Sequence, residues 1–224
     1  MYNSDMKRNR TVLSSEDKLL NTQMYDFYER LGIEDGWVAE DKEENFELFT
    51  TVVRLTDSEL SQSSILDVGC GTGDFCLFLE KHSVNDYIGI DLYETAVDRA
   101  QKQYPKYTFI HGDFLDYDFK RKFDFVYSSG AMTTKFKTDN YLVLQTWVKK
   151  MWDLADKGVA FNVLLEDTVH VYTDIYSKKL FFYDRKKVLE VCAKVLPKYA
   201  KIRALVTDSG TGDGSEELHV FLYR

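Results

Sequence analysis

From residue 65 onward the chain alternates short apolar runs with stretches of helical period, and this alternation limits the possible fold more than any other feature. The runs are Ile65–Val68, Tyr87–Ile90, Tyr107–Ile110, Phe123–Tyr127 and Val159–Leu165. Each is too short for a helix and is dominated by apolar residues, as expected of strands buried on both faces. Between them, apolar residues recur at helical spacing at Phe75, Phe78 and Leu79, at Ala96, Val97 and Ala100, and at Tyr141, Leu144, Val148 and Met151. Strand and helix in alternation predict a parallel sheet covered by helices on both faces. A further helix is marked by Val188, Val191, Cys192 and Val195, followed by strands at Ile202–Val206 and Leu218–Tyr223. The polar, glycine-containing segment between these last two has no helical period, so they are expected to pair antiparallel, because a parallel return needs a crossover. Upstream, Met24, Phe27, Tyr28 and Leu31, then Phe46, Phe49 and Val53, predict two amphipathic helices separated at Gly32 and Gly36.

With 224 residues, of which 44% are hydrophobic, the chain can bury the core of one large α/β domain. Acidic residues outnumber basic ones by 37 to 29, a net charge of −8, so nucleic-acid backbones and anionic membranes are repelled on average. Neither is an expected partner. Cys70, Cys76 and Cys192 form no CxxC pair and leave one unpaired in any disulfide scheme, which fits a reducing compartment. No signal-peptide pattern or apolar run of spanning length occurs, so the expected location is the cytoplasm. Nothing in the sequence sets the oligomeric state.

The run Ile65-Leu66-Asp67-Val68 leads into Gly69-Cys70-Gly71-Thr72-Gly73-Asp74-Phe75, a strand, a glycine-rich turn and a helix start. Glycines there allow positive φ and close approach of backbone to a ligand. Such a turn serves either dinucleotides, which favour GxGxxG, or nucleosides without pyrophosphate; here the spacing is GxGxG. Asp91 ends the second strand, where a carboxylate can accept from both hydroxyls of a ribose. Asp113 ends the third, in His111-Gly112-Asp113-Phe114, where it could accept from an adenine amino group. Taken singly, Asp91 could equally cap the following helix and Asp113 a turn.

In this order and on these strand ends, the glycine loop, Asp91 and Asp113 resemble the class I S-adenosylmethionine-dependent methyltransferases over roughly residues 64–223. The resemblance implies a Rossmann-like, doubly wound sheet of seven strands, mostly parallel with an antiparallel C-terminal strand. It implies S-adenosylmethionine as cofactor, held by Gly69, Cys70, Gly71, Thr72 and Gly73, with Asp67 orienting the loop or the cofactor's amino group. Asp91 and Leu92 would hold the ribose side, Asp113 the adenine amino group, and Phe114 the base, through its N–H and its ring. Ser128 and the residues to Met132 would pass beside the methyl donor. Residues 1–62 would be a helical lid segment on a cofactor-binding domain spanning 63–224.

Methyl transfer from a sulfonium is an in-line displacement, helped by alignment in a water-poor site, and needs a base only if the acceptor must lose a proton. His170, beyond the fifth strand, is the candidate base, with Glu166 or a tyrosine as substitutes; a plain loop histidine is the competing reading. Trp37, Met132 and Tyr172 are the candidate acceptor contacts, and residues 166–183 a second lid element. Ser128-Ser129-Gly130-Ala131 lacks both the Asn/Asp-Pro-Pro-aromatic motif of DNA amino-methyltransferases and the acidic ligands of catechol-type enzymes, so no metal is implied. A small-molecule acceptor is the leading expectation. A protein methyltransferase, a non-catalytic S-adenosylmethionine-binding module and a nicotinamide-dependent oxidoreductase are the alternatives.

Overall fold

The computed structural model describes residues 12–30, 46–50, 56–166, 179–208 and 216–224. Helix α1, Ser15–Arg30, and a helical stretch at 46–50 precede α2, Asp57–Ser61. The alternating part then runs β1 Ser64–Val68, α3 Phe75–Lys81, β2 Asp86–Asp91, α4 Glu94–Gln103, β3 Thr108–His111, β4 Phe123–Ser128, α5 Asn140–Leu154 and β5 Ala155–Leu164. Helix α6, Arg185–Val195, leads to β6, Lys201–Asp208, and β7, Glu216–Tyr223.

One seven-stranded sheet has the order β3-β2-β1-β4-β5-β7-β6. Strands β1 to β5 pair in parallel, and β7 is antiparallel to both β5 and β6. The expected seven-stranded, doubly wound architecture is thus present. Its order reverses at β1, which pairs with β2 on one side and β4 on the other. In such sheets the loops at the carboxyl ends of the strands open a crevice at the reversal point.

The alternation of side chains along β1 shows how both faces are covered. Leu66 and Val68 join the cluster built with Val143, Trp147 and Met151 of α5 and Val188 and Cys192 of α6. Ile65 points the other way, into a cluster with Phe75 and Leu79 of α3, Val97 and Ala100 of α4, and Phe46 and Phe49. A buried strand with apolar residues on both sides is the signature seen in sequence. Side-chain caps set where two helices start: Asp139 accepts from Tyr141 N at 2.8 Å ahead of α5, and Asp184 from Lys187 N at 2.7 Å ahead of α6.

Strand β5 begins four residues earlier than its apolar run. Asp156 and Lys157 are exposed at its start and hide the strand from a reading of hydrophobicity. The segment expected as a lid over 166–183 also ends sooner. Leu180 and Tyr183 are buried, and Tyr183 exchanges backbone hydrogen bonds with Leu164 and Glu166 at 2.8 and 3.0 Å, so the last part of that segment is core.

Helix α1 crosses the carboxyl ends of the parallel strands. Asp17, fully buried, accepts from Lys137 N at 2.6 Å and Thr138 Oγ1 at 2.6 Å in the β4–α5 loop, and from Ser14 Oγ at 2.7 Å. Two turns on, Met24 packs with Leu164 and Leu180. The helix is therefore fastened to the rim of the crevice at both positions.

Candidate active site

The three glycines of the loop after β1 meet three different demands. Gly69, Gly71 and Gly73 all have positive φ, at 79°, 51° and 82°. A Cβ on Gly69 would lie 2.3 Å from the Cβ of Ala131 in the loop after β4, and one on Gly73 would lie 3.0 Å from the Phe109 ring. A Cβ on Gly71 would meet no atom of the described residues beyond its chain neighbours within 4 Å, so at this position they leave room against the backbone. Gly69 N and Cys70 N both donate to Ile90 O, at 2.8 and 3.2 Å, which folds the loop over the end of β2. Cys70 is buried, and its side chain fills the space that the missing Cβ of Gly89 leaves. Thr72, partly exposed, has its hydroxyl 3.5 Å from Asp74 Oδ2.

Each strand-end carboxylate divides its two oxygens between the turn and the crevice. Asp91 Oδ1 accepts from Tyr93 N at 2.9 Å, which shapes the turn into α4. Asp91 Oδ2 accepts from Gly71 N at 2.9 Å and from the Tyr25 hydroxyl of α1 at 3.0 Å. Asp113 Oδ1 accepts from Leu115 N at 2.8 Å, capping the turn after β3. Its other oxygen, Oδ2, is fully buried and pairs with the Lys18 ammonium at 2.7 Å. The turn-capping and ligand-binding readings of these residues are thus compatible. Burial pushes the Asp91 carboxyl pKa up, against the donors that hold it charged. For Lys18, burial acts downward, but Asp113 and Asp116 more than offset it and the net shift is upward.

Asp67 lies beneath the loop, buried, accepting from the Tyr87 hydroxyl at 2.8 Å. Burial pushes its pKa up to about 7, opposed by the Tyr87 bond and reinforced by the nearby charges of Asp91 and Asp74. A carboxylate that gains its charge near neutral pH is suited to meeting a ligand cation.

Beyond β4 the chain turns at Ser128. The Ser128 hydroxyl donates to Val68 O at 2.8 Å, tying the ends of β4 and β1 together. Gly130 N donates to Asn162 Oδ1 of β5 at 2.8 Å, and Asn162 Nδ2 donates to Glu217 Oε2 of β7 at 2.7 Å. His219, cross-strand from Asn162, stands 2.9 Å from Thr207 Oγ1 and 3.5 Å from Glu217 Oε2. Burial pushes its pKa down to about 4, so it is neutral at physiological pH. The loop that contacts Gly69 is therefore held by a polar cluster from the far half of the sheet.

The site brings together Asp67, Gly69, Cys70, Gly71, Thr72, Gly73, Asp91 and Asp113, with Leu92 partly buried behind Asp91 and Ser128 at the end of β4. Phe114 is placed differently from the expectation of a base-stacking ring. Its ring turns into the core against Trp147 at 5.3 Å, with the Lys150 ammonium 5.1 Å from its centre, because the Asp113-capped turn sends the side chain inward. Met132, expected as an acceptor contact, is likewise buried in the core. Trp37, His170 and Tyr172 lie outside the described residues. Lys18, Tyr25, Asn162 and Glu217 were not anticipated. The last two were visible only as polar interruptions in apolar strands; Lys18 and Tyr25 share one face of α1 but carry no motif.

A glycine loop bonded to an acidic strand end, with a second acid one strand further on a reversing α/β sheet, makes a crevice whose chemistry can receive a nucleoside. Residues 65–153 match the sequence family described as a methyltransferase domain. Among solved structures, magnesium protoporphyrin IX methyltransferase from Synechocystis PCC 6803, determined with bound SAH, superposes with a TM-score of 0.68 at 15% identity, over 93% of this chain and 98% of that one. An S-adenosylmethionine-dependent methyltransferase from Mesorhizobium loti gives a TM-score of 0.56 at 17% identity, over 80% and 98%. The glycopeptide N-methyltransferase MtfA gives 0.60 at 9% identity, over 80% and 89%. No curated protein sequence matches the chain. Residues 65–153 thus match a methyltransferase domain, and the chain has the fold of S-adenosylmethionine-dependent methyltransferases.

Proposed function

We propose that this enzyme transfers the methyl group of S-adenosylmethionine to a small-molecule acceptor. What supports the cofactor assignment is the pair of buried strand-end carboxylates, Asp91 bonded to the glycine loop and Asp113 with its Oδ2 held only by the ammonium of a flexible side chain, Lys18. A buried carboxylate oxygen needs a donor, and an exocyclic amine can take the place of the ammonium there. The backbone of Gly69, Cys70, Gly71, Thr72 and Gly73 lines the methionine and ribose portion. Asp91 holds the ribose, with Leu92 beside it, and Asp67 holds the amino group. Phe114 contributes backbone only, its ring being in the core. When bound, the cofactor supplies an electrophilic methyl group on sulfur. The chain's part is to align the acceptor and to exclude water, with Ser128 to Met132 forming the wall nearest the reacting atoms.

A small acceptor is favoured because the crevice is crossed by the chain's own helix, fastened at Asp17 and Met24. A folded protein substrate would meet α1 before it met the strand ends. We assign residues 1–62 and the loop 166–179 to the lid, with Trp37 and Tyr172 as acceptor contacts and His170 as the base where one is needed.

Calorimetric titration with S-adenosylmethionine, S-adenosylhomocysteine and NAD tests the cofactor assignment. Binding of the first two without NAD is expected, and binding of NAD alone would sink it. Replacing residues 167–178 by a short linker should abolish methyl transfer in an acceptor screen while sparing cofactor binding. Turnover unchanged by that replacement would remove the lid from the proposal.

A further inference from the structure

Two side chains of α1 stand on the two carboxylates assigned above to the cofactor. The Tyr25 hydroxyl donates to Asp91 Oδ2 at 3.0 Å, and the Lys18 ammonium lies 2.7 Å from Asp113 Oδ2. They are seven residues apart, two helical turns, and so lie on one face of the helix. A carboxylate offers about four acceptor directions. Gly71 N, Tyr93 N and the Tyr25 hydroxyl use at least three on Asp91, and the Leu92 amide also bonds to it. At most one is left, and a ribose diol needs two.

We propose that Tyr25 and Lys18 set the cofactor affinity of this enzyme by competing for its site, the phenol standing in for a ribose hydroxyl and the ammonium for the adenine amine. The inference rests on the functional reading above. The other donors on Asp91 are backbone amides fixed by the turns, so the one that can leave is Tyr25. Its ring stacks on Tyr93, with centroids 4.7 Å apart and planes 11° apart, and this stack can hold the ring after its hydroxyl has let go. Lys18 has a second partner in Asp116 at 2.8 Å, a half-exposed carboxylate to which it can withdraw when Asp113 is taken. The helix itself need not leave. Asp17 keeps it tied to Lys137 N and Thr138 Oγ1, so the exchange is a movement of two side chains under a fixed roof.

The test is calorimetric titration of S-adenosylhomocysteine and adenosine into the wild-type protein, Tyr25→Phe, Lys18→Met and Asp91→Ala. Removing one competing hydrogen bond should tighten S-adenosylhomocysteine binding about 3- to 10-fold in Tyr25→Phe. The gain should also be seen with adenosine and vanish with 2′,3′-dideoxyadenosine, which has no hydroxyl to place on Asp91. Lys18→Met should tighten both adenine-bearing ligands. Unchanged or weaker binding in Tyr25→Phe, with Asp91→Ala weakened as expected, would overturn the competition and leave the cofactor assignment standing; unchanged binding in Lys18→Met would overturn its Lys18 half. If Asp91→Ala also binds as tightly as wild type, or no form binds, the assignment itself fails and the inference falls with it.

Discussion

The two halves of the sheet treat buried polar residues in opposite ways. On the side of β1, β2 and β3, each strand-end carboxylate uses one oxygen for its own turn and presents the other to the crevice. On the side of β5, β6 and β7, Asn162, Glu217, His219 and Thr207 bond to one another, and the Gly130 amide and the Ser129 hydroxyl connect them to the site. The first half turns its second oxygens toward the glycine loop and the side chains of α1, and the second uses its polar groups to hold a loop still. Burial alone therefore does not separate the crevice-side carboxylates from the supporting one; the partners of the second oxygen do.

Substitutions can break this contrast. The largest effect is expected at Gly69→Ala, where the new Cβ would fall 2.3 Å from Ala131 Cβ on a backbone with φ of 79°. Strain and overpacking should lower unfolding free energy by about 2–4 kcal/mol and abolish S-adenosylhomocysteine binding, read by thermal unfolding and calorimetry. Gly71→Ala, with no atom to strike, should lose only about 1 kcal/mol of stability. Equal losses in the two variants would refute the account of the loop.

Next in size, Asp91→Ala should weaken S-adenosylhomocysteine binding by about 1.5–3 kcal/mol, or roughly 10- to 150-fold, through loss of charge-assisted bonds. Asn162→Ala, in the other half, should instead cost about 1–3 kcal/mol of folding stability, because Glu217 loses a buried donor, and should leave cofactor affinity within about threefold. A loss of affinity as large as that of Asp91→Ala would show that the halves are not separate in function.

The smallest effect is one of pH. Asp67, at about 7 in the folded protein and near 4 when unfolded, keeps its proton longer in the folded state. The stability of the unliganded protein should therefore fall as pH rises from about 4 to about 7. Binding of the amino-bearing cofactor favours the charged form, so affinity should rise by at most about tenfold between pH 6 and pH 8. Asp67→Asn should flatten that dependence, and a slope that survives the substitution would assign it elsewhere. Asp17 has the opposite sign: its donors outweigh burial and hold its pKa at about 2, so the tie between α1 and the rim should persist to well below pH 4 and weaken as pH falls through 2.

Much of this was legible in the chain, for local reasons. The strands announced themselves by short apolar runs, the loop by its glycine spacing, and Asp91 and Asp113 by their positions after the second and third strands. What stayed hidden depends on residues far apart in sequence. Tyr25 and Asp91 are separated by 66 positions and Lys137 and Asp17 by 120, and no local pattern marks either pair. Asn162 was visible as a misfit in Phe161-Asn162-Val163, but its partner Glu217 follows only from the β5–β7 register. The inward turn of Phe114 and the early start of β5 were missed because turn geometry and exposed strand ends leave no hydrophobic trace.

The place of β7 bears on how the molecule is assembled during synthesis. It is the last strand in chain order, yet it sits between β5 and β6. While a ribosome is still short of residue 216, the nascent chain can form β3-β2-β1-β4-β5, but the far edge of β5 has nothing to pair with and β6 has no neighbour at all. Open strand edges are templates for association with other chains. The vulnerable interval in the life of this protein is therefore the time between emergence of β5 and insertion of β7, and the Asn162–Glu217 contact, which steadies the loop against Gly69, can form only when that interval closes.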